Sequence, residues 1–258
     1  MLTLKQLAAL TGRIIRQNFT NGDTLVTVIA MPVFMLLFFV YVLGGSIVTA
    51  GGAAGATQYL DYALPGFVLL TMAMGSAYTA LRINNDQTSG FLSRLHALPI
   101  PRWVILGAHL LASVVFMVAA AAAVLLVGCL MGYRSEAGLG GWLAFAGLAV
   151  LFALTITLLA IPFSLKASNY ASAGGFSYVL LMLLFVSSAL MPTRGMAGPV
   201  RAFATHQPMT PIVNAARGLL AAGTAPQTLP VALAWLIGGA VVFAALAYWA
   251  YWQVFVKR

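Results

Sequence analysis

Long runs of apolar residues alternate along the chain with shorter segments that hold most of the polar residues. A helix needs about 20 residues to cross the roughly 30 Å hydrocarbon core of a bilayer. The runs are continuously apolar, which favours helices over membrane-barrel strands, in which apolar and polar residues alternate. The sequence therefore predicts an all-α membrane protein with six transmembrane helices, at residues 24–43, 62–81, 103–131, 142–165, 173–191 and 229–256.

Residues 2–20 have a helical pattern with two different faces. At about 100° per residue, Lys5, Arg13 and Arg16 fall on one side of such a helix. The opposite side carries Leu4, Leu7, Leu10, Ile14, Ile15 and Phe19. This pattern predicts an amphipathic helix in the plane of the membrane surface, with its cations near lipid phosphates. The alternative is a plain cytoplasmic extension.

The connection between the second and third predicted spans, residues 82–102, is strongly polar and reads "RINNDQTSGFLSRLHALPIPR". Its centre, from Phe91 to Leu98, has apolar residues at helical spacing, and Pro99 and Pro101 end that pattern. We therefore expect a short helix inside this connection.

Residues 192–228 precede the last predicted span and are half apolar, yet they contain Pro192, Pro199, Pro208 and Pro211. Four prolines exclude a spanning helix. Two pieces, "PVRAFA" and "IVNAARGLLAAG", can each form a short helix beginning near a proline, where the missing N–H costs nothing. Irregular backbone at membrane depth is tolerated only when it is buried in protein or lines a wet cavity.

The composition agrees with a membrane location, because 62% of the residues are hydrophobic, 7% are charged and the mean hydropathy is +0.99. The net charge of +9 comes from basic residues at the ends of apolar runs, where they act as topology anchors rather than as a nucleic-acid surface. Six spans place nine of the 13 lysines and arginines on the side of the termini and four on the other. Both termini are therefore predicted to be cytoplasmic, with residues 1–258 forming a single transmembrane domain.

No catalytic or metal-binding pattern is present in the sequence. It has no GxxxxGK[ST] phosphate-binding loop, and His96, His109 and His206 have no partners at metal-ligand spacing. Its four acids, Asp23, Asp61, Asp86 and Glu136, lie outside the deep parts of the predicted spans, and Cys129 is the single cysteine. We therefore expect a protein that is not an enzyme, binds no metal or cofactor, and has no energy source of its own.

The order of these elements, together with two motifs, resembles the permease subunit of type-2 ATP-binding cassette (ABC) transporters, particularly the drug-exporter branch. The motifs are "TSGFLSRLHALPIPRWVILGAHLL" after the second span and "MPTRGMAGPVRAFATHQPMTPIVNAARGLL" before the sixth. The resemblance implies a second permease, as homodimer or heterodimer, and two copies of a separate ABC ATPase that binds ATP and Mg²⁺. It also implies a bacterial inner membrane.

The resemblance assigns the short helix of residues 82–102 as the coupling helix that docks on the ATPase. The residues concerned are Gly90, Phe91, Leu92, Arg94, Leu95, His96 and Leu98. Phe91, Leu95 and Leu98 could enter an apolar cleft while Arg94 and His96 surround it. A surface helix that only completes the connection is the alternative.

The resemblance also implies that residues 192–228 form short helices that dip into the membrane from outside. Arg217 lies on the second of them and matches an arginine of the family. We interpret Arg217 as a structural anchor rather than a substrate ligand.

The expected substrate is an amphipathic drug, antibiotic or lipid-like compound, because the spans offer aromatic and methionine side chains without fixed charges. Candidate pathway residues are Phe34, Phe38, Met72, Tyr78, Phe176 and Met182. Each could equally pack against lipid or neighbouring helices. A polysaccharide or glycolipid exporter is one alternative, and an ATPase-independent channel or scaffold is another.

Overall fold

Helices make up most of the part of the chain that the computed structural model describes, which is residues 2–44, 48–49, 52–53, 56–221 and 226–255. The end of the last predicted span at Val256 lies outside these residues. The helices are α1 Leu2–Thr20, α2 Gly22–Leu25, α3 Met31–Phe38, α4 Ala56–Thr88, α5 Phe91–His96, α6 Arg102–Leu130, α7 Leu139–Lys166, α8 Tyr170–Ala173, α9 Phe176–Phe185, α10 Gly198–His206, α11 Met209–Leu220 and α12 Leu229–Phe255. Two two-residue strands, Val48–Thr49 and Gly52–Ala53, pair antiparallel.

Within the described residues, five helical stretches are long and apolar enough to cross a membrane. They are Gly22–Val42, Thr57–Thr88, Trp103–Leu130, Leu139–Lys166 and Leu229–Phe255. Five of the predicted spans therefore have a matching helix, and the N-terminal helix was predicted with its correct bounds.

The first span is a continuous helix that changes its winding twice. π-helical segments at Val26–Ala30 and Phe39–Leu43 flank α3, and Pro32 lies in the first turn of α3. The π-helical segment comes just before the proline, which has no N–H to donate to the preceding turn. The span thus absorbs Pro32 without a break in the helix.

The helix that holds the second predicted span does not end at Leu81, because α4 continues to Thr88. Two polar residues of this last part, Asn84 and Gln87, bond to the end of another helix. The Asn84 amide donates to the carbonyls of Ser164 and Ala167 at 3.2 and 3.1 Å, and the Gln87 amide donates to that of Leu165 at 3.3 Å. These carbonyls lie at the C-terminal end of α7, where a helix has no N–H groups of its own to bond its last carbonyls. The amides of α4 supply the missing donors.

The predicted fifth span, residues 173–191, is not one continuous helix. It is divided into α8, a break at Gly174–Gly175, α9 and a run of turns over residues 186–190. Ser187 contributes to the second interruption, because its hydroxyl bonds back to the Leu184 carbonyl at 2.6 Å and accepts from the Ala189 N–H. With ten residues, α9 rises only about 15 Å and cannot cross the hydrocarbon core alone.

The helix α4 lies at the centre of the bundle, and its middle is almost completely buried by α6, α7, α9 and α11. Tyr59, Phe67 and Met72 have no exposed surface. Close approach depends on two glycines: Gly66 of α4 lies against the backbone of Ala189, and Gly128 of α6 lies against the Leu64 side chain. By contrast, α12 and the first span have large exposed apolar faces.

Candidate functional site

The short helix α5 begins immediately after a sharp change of direction at the end of α4. Gly90 has a φ of 72°, in the left-handed region that favours glycine, and α5 starts at the next residue. The helix ends at His96 rather than at the predicted Leu98, and Ala97 caps it. The side chain of His96 lies outside the described part of the chain.

The apolar face of α5 packs against its own chain. Leu92 and Leu95 are 3% and 8% exposed and contact Ile105 of α6. The expectation that Leu95 enters a cleft of a partner is therefore wrong, because α6 already covers this side chain. The side left open carries Ser93 and Arg94 of α5 together with Leu98, which follows the helix and is 53% exposed.

A charged cluster joins α1, α4 and α6 beside this helix. The Arg13 guanidinium donates to both carboxylate oxygens of Asp86 at 3.3 and 3.4 Å, and it lies 3.9 Å from the ring centroid of Phe91. The imidazole Nε2 of His109 lies 3.6 Å from Asp86 Oδ2. Asp86 is thus a buried residue of α4 and not part of a polar loop, as the sequence pattern indicated.

Sequence reasoning missed this cluster because Arg13 and Asp86 are 73 residues apart and the three members belong to three different helices. The available signal was weak: Arg13 was placed on the polar face of α1, and Asp86 is the only acid in residues 82–102. Neither observation could predict that Arg13 and Asp86 form an ion pair.

The N-terminal helix packs on protein as well as presenting a surface to its surroundings. Ile14 is 3% exposed and contacts Ala108 and Ala112 of α6. At its two ends, Leu4 is 68% and Phe19 41% exposed. Part of the apolar face therefore attaches α1 to α6, close to α5.

At the opposite end of the bundle, Arg217 connects three segments. Its guanidinium donates to the carbonyls of Tyr62 and Ser188 at 2.9 and 2.7 Å and to Asn214 Oδ1 at 2.8 Å. It also lies 3.8 Å from the centroid of the Tyr62 ring. These N–H groups thus donate to oxygen atoms of the protein itself, as expected of a residue that holds protein segments together.

Two tyrosines of α4, which sequence reasoning did not single out as functional, complete this site, which is named the outer anchor because the predicted topology places it outside. The hydroxyl of Tyr59 donates to the Leu190 carbonyl at 3.0 Å, and that of Tyr62 donates to the Ser188 carbonyl at 2.8 Å. Both bonds satisfy backbone in the turns after α9, where no helix supplies partners.

The structure does not bring the candidate pathway residues together in one site. Phe34 and Phe38 stack on the exposed face of α3, and Met182 is 54% exposed on α9. Met72 is fully buried in the core, and Tyr78 donates to Asp23 at 3.0 Å.

Phe176 lines an apolar cavity of about 720 Å³ between α7, α9, α11 and α12. Its ring stacks on Phe163, with centroids 5.4 Å apart. Opposite, α12 contributes Gly238 and Gly239, whose lack of side chains leaves the space open. In volume and lining the cavity resembles sites that bind apolar molecules.

In the part of the chain that the structure describes, no group of three or more His, Cys, Asp and Glu residues could hold a metal ion. Long apolar helices with a short helix exposed at one end and a buried arginine anchor at the other define an integral membrane protein of the polytopic helical class. Residues 5–221 match the family described as ABC-2 type transporter, and the chain belongs to this family of ABC transporter permeases.

Two drug-resistance permeases are similar to this chain. A daunorubicin resistance ABC transporter permease protein of Streptomyces coeruleorubidus is 28% identical over 197 residues, which cover 76% of this chain and 68% of the relative. A probable doxorubicin resistance ABC transporter permease protein of Mycobacterium tuberculosis is 24% identical over 244 residues, 94% of this chain and 87% of the relative.

Proposed function

We propose that this permease is the membrane subunit of an ATP-driven exporter that moves an amphipathic drug or antibiotic out of a bacterial cell. The similarity to the two drug-resistance permeases carries this proposal. The working complex contains two permeases, identical or different, and two copies of a separate ABC ATPase. ATP and Mg²⁺ bind to the ATPase, and this chain binds no cofactor.

The exposed face of α5 is the proposed contact with the ATPase. Ser93, Arg94 and Leu98 are open to a partner, while Leu92 and Leu95 fix the helix to α6. Closure of the ATPase dimer on ATP pushes this face. Because Arg13 contacts both Asp86 and Phe91, α1 and α4 move together with α5, and the motion reaches the first, second and fifth spans.

A sixth crossing through α8 and α9 is part of the proposal, and contacts to α4 support it. Gly174 lies beside Leu81, near the inner end of α4, while Ser188 accepts from Tyr62 near its outer end. Tyr62 and Leu81 are about 28 Å apart along a helix, close to the hydrocarbon thickness. We therefore propose that the broken segment from α8 through the turns after α9 follows α4 across the membrane, with its irregular backbone buried in protein.

The helices α10 and α11 form the proposed re-entrant hairpin on the outer side. Gln207, between them, donates to the Leu183 carbonyl of α9 at 2.9 Å, below the turns of the outer anchor. Leu220, at the end of α11, accepts from Ser135 in the connection between α6 and α7. This hairpin enters from outside and returns, and both termini are cytoplasmic by the distribution of basic residues.

The test is transport in inverted inner-membrane vesicles that contain this permease and its ATPase. We expect ATP-dependent uptake of doxorubicin, followed by its fluorescence, and recovery of a stable complex of both subunits. Vesicles with the ATPase alone, and vesicles with an ATPase variant that lacks the phosphate-loop lysine, are the controls. Uptake without any ATPase would contradict the proposal and favour a channel, and uptake of a lipid-linked glycan instead of the drug would favour the glycolipid exporter.

A further inference from the structure

A polar pocket of about 420 Å³ lies where α1 ends and the first span begins. Its lining includes Gln17, Asn21, Tyr78, Arg82, Asn85 and Tyr170, which come from α1, the following turn, α4 and α8. None of these residues belongs to α5 or to the outer anchor, so neither proposed role accounts for this pocket.

The residues that line the pocket indicate how deep it lies in the membrane. Asn21 lies in the turn between the amphipathic helix α1 and the first span, and it lines the pocket. Amphipathic helices of this kind lie at the boundary between headgroups and acyl chains. The pocket therefore opens at the level of the lipid phosphates on the side where the described N-terminal residues lie.

Arg82 forms no salt bridge among the described residues, although Asp86 lies one turn further along α4. Its Nη1 donates to Gln17 Oε1 at 3.1 Å, a neutral acceptor, and its Nε is buried without a hydrogen-bond partner. The carboxylate of Asp86, which also lines the pocket, is bound by Arg13. Asp23, nearby, accepts from the hydroxyl of Tyr78. The outer N–H groups of such a guanidinium at headgroup depth are suited to an anion, and the buried Nε shows that the protein satisfies its donors only in part.

We propose that this pocket binds the phosphate of a membrane lipid, with Arg82 as its main ligand. Asn21 uses its side-chain oxygen to cap α2, accepting from Thr24 N at 3.2 Å, and this leaves its amide N–H groups free to donate. Exposed apolar surface adjoins the pocket at Phe19 and Val26, which are 41% and 60% exposed and can contact the acyl chains. That surface favours a lipid over free phosphate. The inference does not depend on the exporter function.

The test measures lipid binding to the purified full-length chain in detergent. Native mass spectrometry follows the retention of dioleoyl phosphatidylglycerol added at increasing concentration. We expect Arg82→Gln to weaken binding about tenfold, the order of effect for losing a charged hydrogen bond to phosphate. Arg134→Gln, which removes an exposed arginine from the connection between α6 and α7, should leave binding unchanged.

A second variant keeps the inference testable if Arg82→Gln impairs folding. Gln17→Glu places a carboxylate beside the guanidinium, which satisfies Arg82 internally and repels phosphate, so it should fold and still lose binding about tenfold. Unchanged lipid binding in Gln17→Glu, or an equal loss in Arg134→Gln, would overturn the proposal. Displacement of the lipid by millimolar inorganic phosphate would overturn the assignment to a lipid.

Discussion

Arg13 and Arg217 show how single arginines hold the two ends of this bundle. Arg13 neutralises the buried carboxylate of Asp86, whereas Arg217 uses neutral carbonyls and an amide oxygen. In both cases the planar guanidinium reaches more than one segment at once, which a compact ammonium does less well. The anchoring role of Arg217 was inferred from the resemblance, but its partners could not be predicted, since Tyr62 lies 155 residues away.

Replacing Arg217 by lysine should loosen the outer anchor. The lysine keeps the charge but cannot bond Tyr62, Ser188 and Asn214 in the same geometry. We expect a loss of about 1–3 kcal/mol in the free energy of unfolding, because hydrogen bonds to a charged group are removed. Thermal unfolding in detergent measures it, with the exposed Arg201→Lys as control. Equal melting temperatures for the two variants would contradict the anchor.

The two leucines of the α5 region should respond differently to the same substitution. Leu98→Asp places a charge on the exposed face, so the chain should keep its stability while recovery of the ATPase complex falls about tenfold or more. Leu95→Asp buries a carboxylate against Ile105, so it should destabilise the permease itself by about 2–5 kcal/mol.

Thermal unfolding of the isolated permease and co-purification with the ATPase separate these two effects. The assignment of the exposed face fails if Leu98→Asp leaves complex recovery unchanged. The packing of α5 on α6 fails if Leu95→Asp melts at the wild-type temperature.

At the scale of elements, the length of each continuous apolar run predicted the helices that are apolar throughout. It located α6, α7 and α12 within a few residues, because each is a long apolar run bounded by polar or proline residues, whereas α1 was located by its amphipathic periodicity. The pattern failed where polar residues bond to another helix, as Asn84 does in α4, and where serines interrupt an apolar run, as Ser187 does after α9. These outcomes depend on contacts between residues of different segments or on local side-chain hydrogen bonds, and the periodicity of a segment shows neither.

The contact between α4 and the turns after α9 should be sensitive to one methyl group. In Gly66→Ala the new Cβ would lie 2.5 Å from the Ala189 carbonyl oxygen, so the backbone must shift. We expect a loss of about 1–3 kcal/mol in the free energy of unfolding, as for overpacked cores. Gly147→Ala on α7 meets nothing within 4 Å and should be neutral or slightly stabilising. If both variants unfold alike, the close approach is absent.

At the scale of the whole molecule, the described ends of the chain meet at one end of the bundle. Leu10 of α1 and Phe255 of α12 both pack beside the cluster of Leu92, Leu95 and Ile105. The helix α5, which is proposed to contact the ATPase, the N-terminal helix and the proposed lipid pocket are therefore neighbours. The outer anchor at Arg217 lies at the other end of α4. The predicted order of the spans placed α5 and Arg217 at opposite ends of the bundle, but it could not give the contacts that hold each end together.

The side of the membrane on which α5 lies tests the account most directly. Ser93 is exposed on α5, and Ser93→Cys in a Cys129→Ser background gives one reactive thiol there. A membrane-impermeant maleimide should label it in inverted vesicles and not in intact cells, whereas Arg134→Cys, in the connection between α6 and α7, should show the reverse. Labelling of Ser93→Cys from outside intact cells would contradict a cytoplasmic α5 that an ATPase can push.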